Sequence, residues 1–277
     1  MKPPDMKIDT PRAGGRFLKT PHALNIASIV WDMDRLASEG RLSFIKKGSS
    51  TTVAVLYGKP FELPFDMLVK RINSRGGLHS LIKRLSGSRA ARLYGVTCKL
   101  FAKGLNVPEP LGFLDARDGK SSFYISKYID ALSLAVMYKD GAFKDMSGIA
   151  RELSRALSYW HLSGAVHGDL KWSNILVTKV TPFYKGGLGG IKAGKGFGCF
   201  FVDLDQTRLF ARPSAKGAGK DLGRFFRTAL QVGAEKWFDD EFLPAYLEAL
   251  PAAFRSGIDV EVIRRNARRE HFLKTGK

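Results

Sequence analysis

The sequence predicts an α+β protein of two lobes, strands first and helices after. Three observations carry this. Between about Phe44 and Ile129 the apolar residues fall in short β-type runs, and from about Asp130 they recur at helical spacing. The chain has 277 residues, enough for one large domain or two modest ones. Its 44% hydrophobic and 11% aromatic content supports a packed core and argues against wholesale disorder.

Residues 1–40 read as a polar leader and N-terminal extension, 41–129 as the strand-rich lobe and 130–277 as the helical lobe. Phe44 to Leu56 gives two β-segments around a Gly-Ser-Ser-Thr-Thr turn, and Phe65 to Ile72 gives another strand with Lys70 inside it. Ser88 is placed to N-cap a helix running to Lys103, with Gly104 at its C′ position. Val107 to Leu114 and Ser122 to Ile129 read as strands. In the second half Ile149, Leu153, Ala156, Leu157 and Trp160 define a helix over 147–163 that Gly164 ends. A loop, AVHGDLKWSNILV, follows. Thr178 to Gly198 holds seven glycines and four lysines, a composition too flexible for a core element. Phe200 to Leu204 reads as a buried strand, and the rest from about Ala218 as helices.

Charge narrows the partners. The formal net charge is +19, which implies an anionic partner without choosing among nucleic acid, acidic membrane and phosphorylated substrate. Between Met67 and Pro108 stand nine Lys/Arg and no acid, the best candidate for an anion-facing surface. Arg264, Arg265, Arg268 and Arg269 on a C-terminal helix read as an ordinary solvated face. No apolar run reaches the ~18 residues of a membrane span, and the N-terminus lacks a signal-type apolar stretch, so a cytoplasmic location is expected. Cys98 and Cys199 read as reduced and buried.

The chemistry concentrates in His167-Gly168-Asp169-Leu170-Lys171-Trp172-Ser173-Asn174. An Asp and an Asn five apart on one loop suit phosphoryl transfer, because Asp receives a hydroxyl proton and Asn ligates Mg²⁺. The bland alternative is a loop of Asx-turn residues. Phe201-Val202-Asp203-Leu204-Asp205 adds an acid leaving an apolar strand, suited to a hard cation. His161 and His167 have no Cys or carboxylate at ligand spacing. They read as a helix residue and as a packed loop residue supporting Asp169.

These two segments together resemble the protein-kinase-like superfamily: HGDLKWSNIL its catalytic loop, Asp203-Leu204-Asp205 its Asp-Phe-Gly. The Asp-Leu-Asp form and GLNVPEPLGF are most similar to bacterial lipopolysaccharide core-sugar kinases, which phosphorylate heptose or Kdo. The resemblance spans roughly Phe44 to Leu230. It implies a two-lobed protein-kinase-like fold with a small β-rich N-terminal lobe and a larger helical C-terminal lobe, and ATP and Mg²⁺ as cofactors. Asp169 would be the catalytic base and Lys171 would neutralise charge on the transferring group. Asn174 and Asp203 would hold the metal, and Lys70 would grip the nucleotide phosphates. Gly48, Ser49, Ser50 and Thr51 stand where the phosphate-covering turn belongs, without the superfamily's GxGxxG. Asp221 resembles a helical Asp that braces the catalytic loop, its alternative being simple helix charge.

The implied activity is an ATP-dependent phosphotransferase adding phosphate to a lipopolysaccharide inner-core sugar at the inner face of the cytoplasmic membrane. Its partners would be nucleotide, an anionic glycolipid acceptor and an anionic membrane surface, with nucleic acid disfavoured for want of any zinc-finger or RNP signature. The alternatives are an atypical protein kinase, a small-molecule kinase and a non-catalytic pseudokinase-like module. Two departures matter. The usual Lys–Glu pair has no acid available between Met67 and Pro108, so either an acid from elsewhere, such as Glu109 or Asp203, holds Lys70, or the nucleotide itself orders it, or the kinase is degraded and weakly active or inactive. The segment 178–198 also replaces what is normally a tight hairpin turn of about 2–5 residues.

Overall fold

The computed structural model describes residues 5–18, 22–73, 87–141, 145–178 and 197–275. Packing divides the chain into two compact units, Met1–Ala102 with Pro108–Ile129, and Lys103–Val107 with Asp130–Lys277. The first is strand-rich. The second carries most of the helices.

The first unit is built on seven antiparallel strands: β1 (Asp5–Asp9), β2 (Ala13–Leu18), β3 (Leu42–Lys46), β4 (Thr51–Leu56), β5 (Met67–Asn73), β6 (Pro110–Ala116) and β7 (Ser121–Lys127). Their order across the sheet is β1-β2-β6-β7-β5-β4-β3. Among the described residues three helices accompany it: α1 (Ala23–Ile29), α2 (Met33–Ser38) and α3 (Arg89–Ala102). Alternation along the strands sends Ala54, Leu56, Met67, Val69, Leu114, Phe123 and Ile125 into one core with α1 and α2. There Trp31 meets Phe123 edge-on at 4.7 Å. On the opposite face Tyr94 of α3 packs on Phe113 at 5.5 Å.

The expectation of a leader over residues 1–40 is corrected by this sheet. Ile8, Ala13 and Phe17 are buried on β1 and β2, and Ala23, Ile26, Ala27 and Met33 bring α1 and α2 into the same core. The polar residues that made this stretch read as a leader alternate with those apolar ones along an edge hairpin, where one face stays wet. The fit is close: a Cβ on Gly112 would sit 2.5 Å from the Phe17 ring. Residues 74–86, part of the acid-free block, lie outside the described residues. Ser88 accepts from the amide of Ala91 at 3.0 Å to cap α3, and Gly104 is left-handed at φ 71°.

The second unit holds β8 (Leu132–Ser133), α4 (Leu134–Lys139), α5 (Met146–Leu162), β9 (Ala165–Val166), β10 (Ile175–Thr178), β11 (Gly198–Phe201), β12 (Arg208–Leu209) and α6 (Ala215–Val232). Asp145 caps α5 by accepting from the Gly148 amide at 2.7 Å. Ile149, Leu153, Leu157 and Trp160 are fully buried along its inner stripe. The C-terminal helix, Val260–Thr275, packs on α6. Two of its four arginines are paired: Arg264 binds Asp239 and Glu261, and Arg268 binds Glu235; its Glu270 accepts from Arg227 on α6. Thr178 and Gly198 are direct cross-strand partners, so the Gly/Lys-rich insert begins and ends at one point. Its residues 179–196 lie outside the described ones. Cys98 and Cys199 are buried and form no disulfide among the described residues.

Candidate active site

The loop from His167 to Asn174 alternates anchors with reagents. Leu170, Trp172 and Ile175 are fully buried, whereas Asp169 and Lys171 are half-buried. Trp172 is the main anchor. Its ring lies 5.2 Å from Trp237, 5.5 Å from Phe225 and 5.4 Å from Tyr138. Burying a side chain of this size supplies about 3 kcal/mol, and each aromatic pair adds about 1 kcal/mol. The loop is therefore held at its centre by the apolar core, which leaves its polar residues directed elsewhere.

Asp169 is gripped from three sides. The Nζ of Lys171 donates to its Oδ2 at 3.0 Å. Asn174 Nδ2 donates to the Asp169 carbonyl at 2.9 Å and reaches the same Oδ2 at 3.3 Å. The Asp169 amide donates to His167 Nδ1 at 3.3 Å. Because Nδ1 accepts, Nε2 carries the hydrogen and donates to the Val202 carbonyl at 3.0 Å. His167 is fully buried, and burial outweighs nearby acidic groups and holds its imidazole below the ordinary pKa. It is a neutral strut between two chain segments.

Those segments carry the base and the second acid. Val202 accepts from His167 and donates its amide to the Asn174 carbonyl at 3.0 Å, so both of its backbone groups are stitched to the loop that bears Asp169. The next residue is Asp203, in the left-handed region at φ 60°, ψ 54°. Asp tolerates that conformation better than most residues, although it remains costly. Here the strand expected over 200–204 is corrected: β11 stops at Phe201, because the chain must turn at Asp203 into a 3₁₀ turn over Leu204–Gln206.

Below the loop, Asp221 on α6 is fully buried and accepts from the His167 amide at 2.6 Å and the Gly168 amide at 2.9 Å. Bracing, rather than simple helix charge, is its role. A carboxylate only accepts, so His161 Nε2 donates to it at 3.4 Å, and His161 Nδ1 bonds the Tyr246 hydroxyl at 2.7 Å. Burial pushes the Asp221 carboxyl up. The His161 hydrogen bond and charge and the two amides outweigh it and hold the carboxyl below its usual range. Sequence reasoning gave His161 no part in this and passed over Tyr246, which no motif marks. The signal available was a His on the buried stripe of α5, where an unsatisfied imidazole is costly.

The structure brings Asp169, Lys171, Asn174 and Asp203 together in the second unit. Lys70 and the turn Gly48-Ser49-Ser50-Thr51 belong to the first. Lys70 lies on β5, between β7 and β4, with Tyr124 and Val53 as its cross-strand partners, and is only 8% exposed. It is an interior lysine, not one snorkelling from a sheet edge. The turn joins β3 to β4 and is held to β5 by Asn73, whose amide donates to the Ser50 carbonyl at 3.0 Å and whose side chain donates to the Ser49 carbonyl at 2.8 Å. Glu109, one suggested partner for Lys70, closes on Lys127 at 2.6 Å.

The donor set fits Mg²⁺. With Nδ2 of Asn174 committed to Asp169, the atom left for a ligand is the amide oxygen. A carboxamide and a carboxylate oxygen are hard donors of the kind Mg²⁺ takes in small number, completing its shell with phosphates and water.

No family model matches the sequence. Among curated proteins, the chain is 24% identical over 216 residues to the KEOPS complex subunit Bud32 of Pyrococcus abyssi, which covers 75% of this chain and 86% of that protein. Among solved structures it superimposes on WaaP in complex with acyl carrier protein with a TM-score of 0.57 and 14% identity, over 89% of this chain and 95% of that one. A divergent kinase lacking the glycine-rich loop, which regulates membrane ultrastructure of the Toxoplasma parasitophorous vacuole, aligns at a TM-score of 0.45 and 15% identity, over 89% of each chain. The chain has the two-lobed, α+β protein-kinase-like fold. It resembles the protein-kinase-like superfamily in both sequence and structure.

Proposed function

We propose that the protein is an ATP- and Mg²⁺-dependent phosphotransferase that phosphorylates a sugar hydroxyl, heptose or Kdo, of a lipopolysaccharide inner core at the inner face of the cytoplasmic membrane. The observation that carries the kinase reading is the grip on Asp169. Its Oδ2 takes hydrogen bonds from Lys171 and Asn174, which leaves Oδ1 to receive the proton of an acceptor hydroxyl. Lys171 adds positive charge beside the hydroxyl as it attacks, and Asn174 and Asp203 would hold the cation. When bound, Mg²⁺ would neutralise phosphate charge, and the rest of the catalysis is positioning. An intact base, amide and second acid favour an active enzyme over a pseudokinase. The acceptor class rests on the Asp-Leu-Asp and GLNVPEPLGF resemblance, supported by the overlap with WaaP.

A second reading draws on the Bud32 match, whose name places that protein in a multisubunit complex. Here the chain would be an atypical kinase working as a subunit of an assembly. One experiment separates the two. Purified protein is incubated with γ-labelled ATP, Mg²⁺ and deacylated core oligosaccharide, beside protein acceptors and an Asp169→Ala control. Label on the oligosaccharide that disappears in the variant supports the sugar kinase, label only on protein supports the second reading, and no metal-dependent nucleotide use overturns both.

A further inference from the structure

Immediately after the catalytic loop's partner segment, the chain from Gln206 to Lys220 carries four cations and no acid: Arg208, Arg212, Lys216 and Lys220, at every fourth position. All four are exposed. Unlike Arg264 and Arg268 of the C-terminal helix and Arg227, none of them makes an ion pair among the described residues. Between the first two stands Phe210, 45% exposed. Arg208 and Phe210 are two residues apart in extended chain and project to one side, with Leu209 half-buried between them. Lys216 and Lys220 share a face of α6.

This strip is fastened to the site. β12 pairs with β9, so Arg208 lies opposite Val166 and Leu209 opposite Ala165. The Phe210 amide donates to the Gly164 carbonyl at 2.8 Å, and the Thr207 hydroxyl donates to the His167 carbonyl at 3.2 Å. The strip therefore starts beside the loop that presents Asp169. We infer that Arg208, Phe210, Arg212, Lys216 and Lys220 form a docking surface for an anionic phospholipid bilayer. Unneutralised cations meet the headgroup charge, while an exposed aromatic among them enters the interfacial region. A free phosphate or phosphosugar would use the cations and would gain nothing from an exposed Phe. The inference rests on the reading above only in its purpose, to bring a lipid-borne acceptor to Asp169. The contact itself needs no catalysis.

The test is co-sedimentation of the full chain with phosphatidylcholine vesicles, with and without phosphatidylglycerol. Wild type is expected to bind only the mixed vesicles. Each cation removed weakens binding about fivefold, so the combined Arg208→Gln, Arg212→Gln, Lys216→Gln, Lys220→Gln variant loses several hundredfold. A control removing as much charge elsewhere in the same unit (Lys236→Gln, Arg255→Gln, Arg265→Gln, Arg269→Gln) keeps most of it. Phe210→Ser weakens the part of binding that survives added salt. Equal losses in strip and control variants would overturn the proposal, as would absence of phosphatidylglycerol-dependent binding or strip-dependent binding only to an acidic protein or oligonucleotide. Asp169→Ala is expected to bind vesicles like wild type. A dead enzyme that docks, or an active one that does not, thus tells the two readings apart.

Discussion

The carboxylate of Asp221 receives the backbone amide of His167 at 2.6 Å, from a position with no solvent exposure. A buried anion thus orients the loop that carries Asp169. Replacing it strands two loop amides and the His161 donor at once. Asp221→Ala is expected to lower unfolding free energy by about 3–5 kcal/mol, measured as a shift in the urea midpoint. A loss below 1 kcal/mol would remove Asp221 from its bracing role.

The same pair makes stability depend on pH in two windows. Asp221 has a lowered pKa in the fold, so its contribution is present above the unfolded Asp value and is lost as pH falls through the folded one. That loss lies below about pH 4. His167 is also lowered, but it is a base held neutral, so the unfolded chain binds its proton first. Stability should therefore fall as pH drops below about 6.5, by at most about 1.4 kcal/mol per pH unit from this group. Urea midpoints taken between pH 7.5 and pH 5 should show the slope in wild type and a shallower one in His167→Gln; parallel curves would refute the assignment.

Gly168 is left-handed at φ 80°, and a Cβ there would meet the Gln206 carbonyl at 2.6 Å. Gly168→Ala combines the left-handed penalty of about 1–2 kcal/mol with that clash. It should either lower the melting temperature or, if the loop shifts to relieve the contact, cut phosphoryl transfer with little thermal change. A variant normal in both respects would show that the loop is not held as described.

Removing the acid and the interior lysine should have different effects. Asp169→Ala abolishes transfer while leaving the unfolding transition nearly in place, because its side chain is partly solvated, its partner Lys171 can turn to water, and Asn174 keeps its bond to the Asp169 carbonyl. Lys70→Ala weakens ATP use tenfold or more, on the order of 1.4 kcal/mol, measured as kcat/KM for ATP. Unchanged ATP use would take Lys70 out of the site.

Much of this was legible in the chain. The α3 and α5 helices show in their periodicity and caps, because Ser88, Gly104 and Gly164 act on the few residues beside them. The loop from His167 to Asn174 shows as a motif because its acid and amide stand five residues apart, and Asp203 shows as an acid that leaves an apolar run further along. The edge hairpin of β1 and β2 did not show. Its polar face is what a leader also presents, and only pairing with β6, almost a hundred residues away, makes its other face core.

By itself, the sequence determined the chemistry available: a base, an amide, a second acid, a lysine in a strand and an excess of positive charge. Tertiary structure decided which of those groups are held and how. It made Asp221 a brace, His167 a neutral strut and Lys70 an interior residue, and among the described residues it left the cations of 208–220 without an ion pair while pairing Arg264 and Arg268 on the C-terminal helix. Motifs report groups that sit a few residues apart. Burial and charge pairing depend on what the fold brings from far along the chain, and those set whether a given Asp, His or Arg supports the structure or faces a ligand.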